Sequence, residues 1–247
     1  MNLCTLDVSK AFDRVNLYAL VVKLIDRKLP KSFINIILSW YSNSYILVKW
    51  QNTLSDIVRL SCGVRQGGVL SPILFALLVD DMLLKLNNSG YGCCFNGLPI
   101  AAFMYADDII ILTSSLTNLQ YLINMCQSSL MLIDLRINPS KSFWLRIGKR
   151  FNVHCADILG NNVPLLRVEE VKYLGSIIIA ASKFSISLSS NKLKFFKNAN
   201  KIFSKVGTSN MPILMMLTES FCISALLYNL EIFDLNKAYK QFKFCTF

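Results

Sequence analysis

Two neighbouring carboxylates, Asp107 and Asp108, are the residues of this sequence best suited to chemistry. They stand between the apolar runs 103–106 and 109–112, a pattern that predicts two buried strands joined by a tight turn with both aspartates at its tip. A turn that only reverses the chain favours Asn-Gly or Asp-Gly. Two adjacent anions repel each other unless a cation neutralises them, and Mg²⁺ takes oxygen ligands of this kind. The alternative is a solvated acidic turn, because aspartate is common in turns.

A third carboxylate, Asp7, follows the short apolar run 3–6 at the N-terminus. This run predicts a strand that ends in a carboxylate. Taken alone, Asp7 could be a strand-end cap. Asp13 lies near the start of the next predicted helix, and we expect it to cap that helix or to pair locally.

Helices and strands must position these residues, and apolar spacing predicts where they lie. The predicted helices are 17–25, 33–41, 71–88 and 115–135, the third with Ser71 as its cap and Pro72 in its first turn. Predicted strands are 45–51, 53–62, 142–147, 153–159, 163–168 and 171–179. Residues 63–68 are too rich in glycine for a helix or strand, and Asn96-Gly97 predicts a hairpin turn.

Composition excludes several classes of protein. The chain has 247 residues, 53% of them hydrophobic, which suits a large core and argues against disorder. Its eight cysteines lack a C-x-x-C spacing, so we expect reduced core cysteines rather than zinc sites or disulfides. His154 is the only histidine, which leaves one candidate base for a catalytic triad. Val69 and Leu70 stand where a phosphate loop needs Lys and Ser or Thr, so the sequence does not support an ATPase of the phosphate-loop class.

The mean hydropathy of +0.45 raises the question of a membrane. Every long apolar stretch is interrupted, as Asp80 and Asp81 interrupt residues 73–86, so we predict no transmembrane helix. The N-terminus lacks the pattern of a secretory signal, and we expect an intracellular protein.

Positive charge is concentrated in the second half of the chain. The net charge is +11; residues 1–140 carry 11 basic and 9 acidic side chains, and residues 141–247 carry 15 and 6. Such a surface usually faces a nucleic acid or an anionic membrane. From Lys194 onward, lysines follow one helical face and apolar residues another, which predicts an amphipathic helix with a cationic stripe. We place a domain boundary near Ala181.

Five local patterns, taken in order, resemble the palm motifs of reverse transcriptases, most closely those of LINE-type non-LTR retrotransposons. In chain order the patterns are LDVSKAFD (6–13), RQGGVLSP (65–72), YADD (105–108), NPSKS (138–142) and KYLG (172–175). The resemblance runs from Asp7 to about Phe233. It implies an α+β fold, in which a polymerase palm of antiparallel sheet with packed helices (1–181) precedes a thumb-like helical segment (182–247).

The resemblance implies an RNA-directed DNA polymerase that extends a DNA primer on an RNA template with deoxynucleoside triphosphates. Joining a primer hydroxyl to a nucleotide needs two metal ions, here Mg²⁺ or in its place Mn²⁺. Asp7 and Asp107 would bridge both ions, with Asp108 as an accessory ligand and the backbone carbonyl of Val8 as a further contact. Lys141 is similar to the family's general acid, although a solvated loop lysine is an equal interpretation.

The remaining motif residues acquire implied roles in binding nucleotide and nucleic acid. Phe12 stands where the family excludes a 2′-hydroxyl, although alone it would be a core residue. Those implied to contact the nucleotide are Phe12, Arg65, Gln66 and Gly67, for which a surface loop is the alternative. Those implied to contact primer or template are Tyr105, Lys172, Tyr173, Leu174, Gly175, Lys194, Lys197 and Lys201.

The family's fingers lie upstream of the first motif, yet only residues 1–6 precede Asp7, so we expect the fingers to be missing. The missing fingers favour one alternative, a catalytically inactive retrotransposon-derived fragment that binds nucleic acid. Hydropathy and charge suggest another, a protein of the membrane surface. The five ordered motifs argue against the membrane. We expect action in the nucleus or in a ribonucleoprotein particle.

Overall fold

The computed structural model describes residues 1–207 and 210–232, which form two compact units. The first unit is Met1–Arg146 with Val153–Arg167. The second is Ile147–Asn152 with the described residues from Val168 onward. The remaining residues of the predicted 182–247 segment lie outside the described part of the chain.

Sixteen strands, most of them short, alternate with helices along the described residues. The strands are β1 (Asn2–Val8), β2 (Tyr45–Ile46), β3 (Lys49–Trp50), β4 (Thr53–Leu54), β5 (Val58–Arg59), β6 (Cys93–Phe95), β7 (Leu98–Ile100), β8 (Ala102–Tyr105), β9 (Asp108–Thr113), β10 (Ile137–Arg146), β11 (Leu159–Gly160), β12 (Val163–Pro164), β13 (Leu166–Arg167), β14 (Glu170–Tyr173), β15 (Ser176–Ile179) and β16 (Ser185–Ser187). The α-helices are α1 (Leu17–Asp26), α2 (Lys31–Ser42), α3 (Ser71–Asn87), α4 (Leu116–Met131), α5 (Ser189–Val206), α6 (Met211–Leu217) and α7 (Ser224–Leu227). A π-helix, Thr218–Ile223, joins α6 to α7, and Leu230–Ile232 is a 3₁₀ turn.

A five-stranded sheet in the order β13-β10-β1-β9-β8 is the centre of the first unit. All neighbours are antiparallel except the short β10–β13 pair. β1 is the middle strand, and Asp7 is its only residue that is not buried. The apolar run before Asp7 is therefore explained by burial, since a central strand contacts packed elements on its faces.

Helices α3 and α4 cover this sheet: α3 packs against β8 and α4 against β1 and β9. Every apolar position predicted for the α4 region is fully buried, namely Leu119, Leu122, Ile123, Cys126 and Leu130. The side chain of Ser115 caps α4 by accepting a hydrogen bond from the Asn118 N–H at 3.1 Å. The Asn96-Gly97 turn is also confirmed, since it joins β6 to β7 with positive φ at both residues.

Some predictions for this unit are wrong. Ser71 does not cap α3, because its hydroxyl donates to the Arg65 carbonyl at 2.6 Å and Leu70 precedes the helix without a side-chain cap. Residues 153–158 form no strand. The core prediction for cysteines holds in this unit for Cys4 and Cys126, while Cys62 and Cys94 are exposed.

The second unit contains a three-stranded antiparallel sheet in the order β14-β15-β16, followed by α5. β16 pairs with β15 through Ile178 and Ile186. The predicted boundary near Ala181 therefore falls inside this sheet, whereas the compact units divide after Arg167. A boundary based on the change in composition overlooked the pairing of strands on its two sides.

The amphipathic pattern of α5 is confirmed. Its predicted apolar face, Phe195, Ala199, Ile202 and Val206, is partly buried, and α5 packs against α6, the π-helix and α7. The four lysines of its other face, Lys194, Lys197, Lys201 and Lys205, are exposed. We call these four residues the lysine stripe.

Within the described residues, Met211–Ile232 is the one stretch long and apolar enough to cross a membrane by length and composition alone. The sequence pattern did not single it out. The backbone does not continue as one helix, because Tyr228 has a ψ of 124° and Asn229 a φ of 58°. Little of this stretch is buried in the structure.

Candidate active site

The antiparallel register of β1 and β9 sets Asp7 directly opposite Asp108. Residues opposed in this way project from the same face of a sheet, with Cβ atoms about 4.5 to 5.5 Å apart. Next to this pair, Leu6 lies opposite Ile109, and both are buried. Two carboxylates more than 100 residues apart in the chain are thus brought together next to a buried apolar pair.

The turn between β8 and β9 is one residue earlier than the sequence predicted. Tyr105 pairs with Asp108, so the two turn residues are Ala106 and Asp107, and Asp108 is the first residue of β9. The prediction that both aspartates lie at the tip is wrong for Asp108. Ala106 has a φ of 52°, a conformation that favours glycine, at a cost of about 1 to 2 kcal/mol for a residue with a Cβ.

The three carboxylates affect one another electrostatically. Partial burial raises the pKa of Asp108 above its ordinary value of 3.8, and the negative charges of Asp107 and Asp7 raise it further. Mutual repulsion of this kind is relieved when a cation binds between the carboxylates.

The oxygen ligands of Asp7, Asp107 and Asp108 fit a hard divalent cation by their chemistry and their common location. Among the residues that the structure describes, no three His, Cys, Asp or Glu side chains already converge as a metal-binding group. The aspartate side chains would therefore need to rotate toward an ion. Val8, whose carbonyl is the further predicted contact, is a buried residue that pairs with Ile137.

The strand on the other side of β1 contains Lys141. β10 pairs with β1 at Asn138 and again from Phe143, and the residues between them leave the regular ladder. Lys141 is exposed within this irregular segment, while Ser142 is completely buried. The structure thus places Lys141 on the strand adjacent to Asp7.

A network of hydrogen bonds joins the glycine-rich loop to the turn after β1. The Val64 N–H donates to the Phe12 carbonyl at 2.7 Å, and the Gln66 amide donates to an Asp13 carboxylate oxygen at 3.0 Å. A Cβ added to Gly63 would lie 2.7 Å from the Asp13 carbonyl oxygen. The prediction that Asp13 caps the next helix or pairs locally is therefore wrong. Asn16 caps α1, and the Asp13 carboxylate accepts its hydrogen bond from Gln66, which is 53 residues away in the chain.

Of the other residues of the first unit that are implied to contact nucleotide or template, Arg65, Gly67 and Tyr105 are exposed. The guanidinium of Arg65 donates to the Ser44 hydroxyl at 3.2 Å. Gly67 has a φ of 79° and open space around its α-carbon. Phe12 is partly buried against the core, and Tyr105 is 66% exposed.

The predicted primer-contacting hairpin, Lys172–Gly175, lies in the second unit at the turn between β14 and β15. Leu174 and Gly175 both have positive φ, as a two-residue hairpin turn of type I′ requires. The hydroxyl of Tyr228 donates to the Leu174 carbonyl at 3.1 Å.

Asn229 donates to the Leu174 carbonyl at 3.3 Å and to the Ser176 hydroxyl at 2.8 Å. Sequence reasoning missed both Tyr228 and Asn229. A helix-breaking Tyr-Asn pair after an apolar helix was the signal that could have found them, because asparagine tolerates positive φ.

Residues 2–178 match the protein family described as Reverse transcriptase (RNA-dependent DNA polymerase). The chain belongs to this family. The match includes all five motifs and ends in β15.

Relatives of this reverse transcriptase chain include polymerases of non-LTR retrotransposons, which confirms the predicted kinship. The Pol polyprotein of the type-1 retrotransposable element R2 of Nasonia vitripennis is 31% identical over 182 residues, which is 70% of this chain and 18% of that protein. The RNA-directed DNA polymerase from the mobile element jockey of Drosophila funebris is 28% identical over 81% of this chain and 22% of that protein. The chain therefore spans about a fifth of the length of these relatives.

Solved structures of telomerase share the fold. Apo telomerase from Candida tropicalis matches with a TM-score of 0.57 and 14% identity, covering 97% of this chain and 44% of that one. The same telomerase in complex with a fragment of telomeric RNA gives a TM-score of 0.51 and 13% identity, covering 97% and 40%. The expected α+β fold with palm and thumb is confirmed.

Proposed function

We propose that this chain contains the palm and part of the thumb of an RNA-directed DNA polymerase, which extends a DNA primer on an RNA template. The observation that supports this most directly is the opposition of Asp7 and Asp108 across paired strands, with Asp107 in the adjoining turn. Membership of the reverse transcriptase family supports the reaction class. We also propose that it acts inside the cell, in the nucleus or in a ribonucleoprotein particle.

Asp7 and Asp107 would hold two Mg²⁺ ions, which Mn²⁺ could replace, with Asp108 and the Val8 carbonyl as further ligands. The bound ions would stabilise the attacking and leaving oxygens of nucleotidyl transfer. The register favours Asp108 as a full metal ligand rather than an accessory one, since Asp108 directly opposes Asp7. The chain itself supplies a sheet that fixes the backbone positions of Asp7 and Asp108.

Lys141 would act as the general acid of this reaction. When the primer 3′-oxygen bonds to the α-phosphorus, the bond to the bridging oxygen of pyrophosphate breaks, and the ammonium group would donate its proton to the departing pyrophosphate. The exposure of Lys141 and its place on the strand next to Asp7 support this role.

The glycine-rich loop would contact the incoming nucleotide through Arg65, Gln66 and Gly67. Its hydrogen bonds to the turn after β1 support this role, because they join the loop to the segment that follows Asp7. Phe12, in that same segment, would exclude a 2′-hydroxyl.

Exposed and partly buried residues would bind primer and template. They are Tyr105, Lys172, Tyr173, Leu174, Gly175, Lys194, Lys197 and Lys201. The lysines would contact phosphates without reading bases. A telomerase with the same fold has been solved with RNA bound, which supports an RNA template for this chain.

Primer extension tests the proposal. The chain is mixed with a DNA primer annealed to an RNA template, deoxynucleoside triphosphates and Mg²⁺, and the extended primer is measured. We expect extension by the unaltered chain and none by Asp7→Asn or Asp107→Asn. The matched control is Asp56→Asn, which removes an exposed carboxylate between β4 and β5 and should leave the rate unchanged. Extension that survives in both active-site variants would contradict the proposal.

A second function, nucleic-acid binding without polymerisation, is favoured by the exposed lysine stripe on α5. Tight binding of the primer-template by a chain that fails to extend it would support this second function. Binding to anionic vesicles in the absence of nucleic acid would instead support a protein of the membrane surface.

A further inference from the structure

β10 contains a wide irregularity directly beside Asp7. Asp7 pairs with Asn138 and Thr5 pairs with Phe143, so residues 139–142 face a single residue of β1, Leu6. The irregularity therefore begins at the position of a proposed metal ligand.

The hydroxyl of Ser142 links the backbones of β1 and β10 at this point. It accepts a hydrogen bond from the Asp7 N–H at 3.1 Å and donates one to the Asn138 carbonyl at 2.7 Å. One hydroxyl therefore satisfies two backbone groups on neighbouring strands. Ser142 has no exposed surface, so water does not compete for these bonds.

Ser142 differs from its neighbours in the irregular segment both in its burial and in its hydrogen bond to β1. Lys141 and Ser140 are exposed, and the hydroxyl of Ser140 donates to the side chain of Asn138 rather than to β1. Ser142 directly precedes the point where regular pairing resumes, and its hydroxyl contacts the backbone of β1.

We infer that Ser142 is a positioning residue for Asp7, acting through the backbone of β1. The inference rests on the proposed function, because it assigns to Ser142 the placement of a metal-binding carboxylate. Partners that orient metal ligands commonly change metal affinity 10- to 100-fold when they are removed, roughly the range we expect here. Without the hydroxyl, the Asp7 N–H and the Asn138 carbonyl lose this link, and the Asp7 carboxylate would shift with the backbone.

The test compares Ser142→Ala with Thr113→Val in the full chain. Thr113 is equally buried, its hydroxyl also donates to a backbone carbonyl, that of Ser115 at 2.9 Å, and it pairs with Asn2 at the opposite end of β1 from Asp7. Both variants therefore remove a buried, hydrogen-bonded hydroxyl from the same sheet. The first measurement is hydrogen exchange of the Asp7 amide by NMR without metal, and the second is the dissociation constant for Mn²⁺.

We expect Ser142→Ala to accelerate exchange of the Asp7 amide about tenfold, as the loss of one buried hydrogen bond predicts, and to weaken Mn²⁺ binding. Thr113→Val should change neither quantity, and Ser142→Thr should restore slow exchange by keeping the hydroxyl. Unfolding midpoints identify any variant that is poorly folded. If Ser142→Thr is poorly folded, the comparison of Ser142→Ala with Thr113→Val tests the inference without it.

Unchanged Asp7 exchange in Ser142→Ala would overturn the inference, as would faster exchange with unchanged Mn²⁺ affinity. A wild-type chain that binds no Mn²⁺ would count against the proposed function instead. Exchange at Asp7 would then decide whether Ser142 holds this backbone.

Discussion

The rings of Phe12 and Phe75 stack with their centroids 5.0 Å apart and an interplanar angle of 27°. Phe75 lies in α3 and is fully buried, whereas Phe12 is only partly buried. Phe12 is therefore held by the core without being enclosed in it. The two interpretations of Phe12, a residue that excludes a 2′-hydroxyl and a core residue, are compatible in this arrangement.

We predict that Phe12→Ala lowers the free energy of unfolding by about 3 kcal/mol, because it removes the ring that stacks on Phe75. It should also raise incorporation of ribonucleotides relative to deoxyribonucleotides, since the exclusion of a 2′-hydroxyl is steric. Chemical denaturation and primer extension with each type of nucleotide measure the two effects.

The control is Phe75→Leu, which removes the same stack from the other side. It should destabilise the protein and leave the sugar preference intact. A Phe12→Ala variant with an unchanged sugar preference would show that the ring has only a structural role.

Gly63 and Gly67 both have positive φ, but they differ in the space around them. We predict that Gly67→Ala costs about 1 to 2 kcal/mol of stability from its backbone conformation alone. Gly63→Ala should cost clearly more, because its Cβ would also approach the Asp13 carbonyl to 2.7 Å. Denaturation midpoints of the two variants check this order, and equal losses would show that the loop moves freely away from Asp13.

The lysine stripe predicts the salt dependence of nucleic-acid binding. Replacing Lys194, Lys197 and Lys201 with alanine should weaken affinity for a primer-template duplex and reduce the slope of log K against log salt by about 2 to 3, since each phosphate contact releases about 0.9 counterions. The control replaces Lys28, Lys31 and Lys85, which are exposed in the first unit, and changes the net charge equally. Titrations at several salt concentrations distinguish the two; equal slopes would show that the stripe contacts no phosphate.

Asp81 gives a prediction for the pH dependence of stability. The hydrogen bond from Lys23 lowers the pKa of Asp81 below its ordinary value of 3.8, with added contributions from the charges of Lys23 and Arg27. A carboxyl group with a lowered pKa stabilises the fold above its unfolded pKa and loses this effect as the pH falls through the folded value.

The stability difference between wild type and Asp81→Asn should therefore be constant at neutral pH and shrink below about pH 4. Denaturation at a series of pH values measures it. Because Asp81 is largely exposed, we expect the difference to be small and to decrease in high salt. A difference that grows on acidification would contradict the assignment.

Helices were the most predictable part of this fold. The apolar positions of α4 recur every three or four residues, and this local pattern fixes which face is buried. The Asn96-Gly97 turn was predictable for a similar reason, because its backbone conformation depends on the two residues themselves. Motif order identified the family and the three aspartates.

The geometry of the site depended on distant parts of the chain and could not be predicted in the same way. The opposition of Asp7 and Asp108 follows from the register between β1 and β9, which many side chains determine together. The hydrogen bond between Asp13 and Gln66 joins two loops, and no local sequence pattern predicts it. Local propensity favoured Asp13 as a helix cap, and the tertiary partner overrode it.

The irregular segment of β10 has an evolutionary consequence. Because Asn138 and Phe143 keep their pairing with β1 on either side, residues 139–141 can change in number without shifting the sheet. Insertions and deletions there would move the amine of Lys141 while the aspartates stay in register. Natural variation at this position could thus adjust the reach of the proposed proton donor independently of the carboxylates, which a regular strand would not permit.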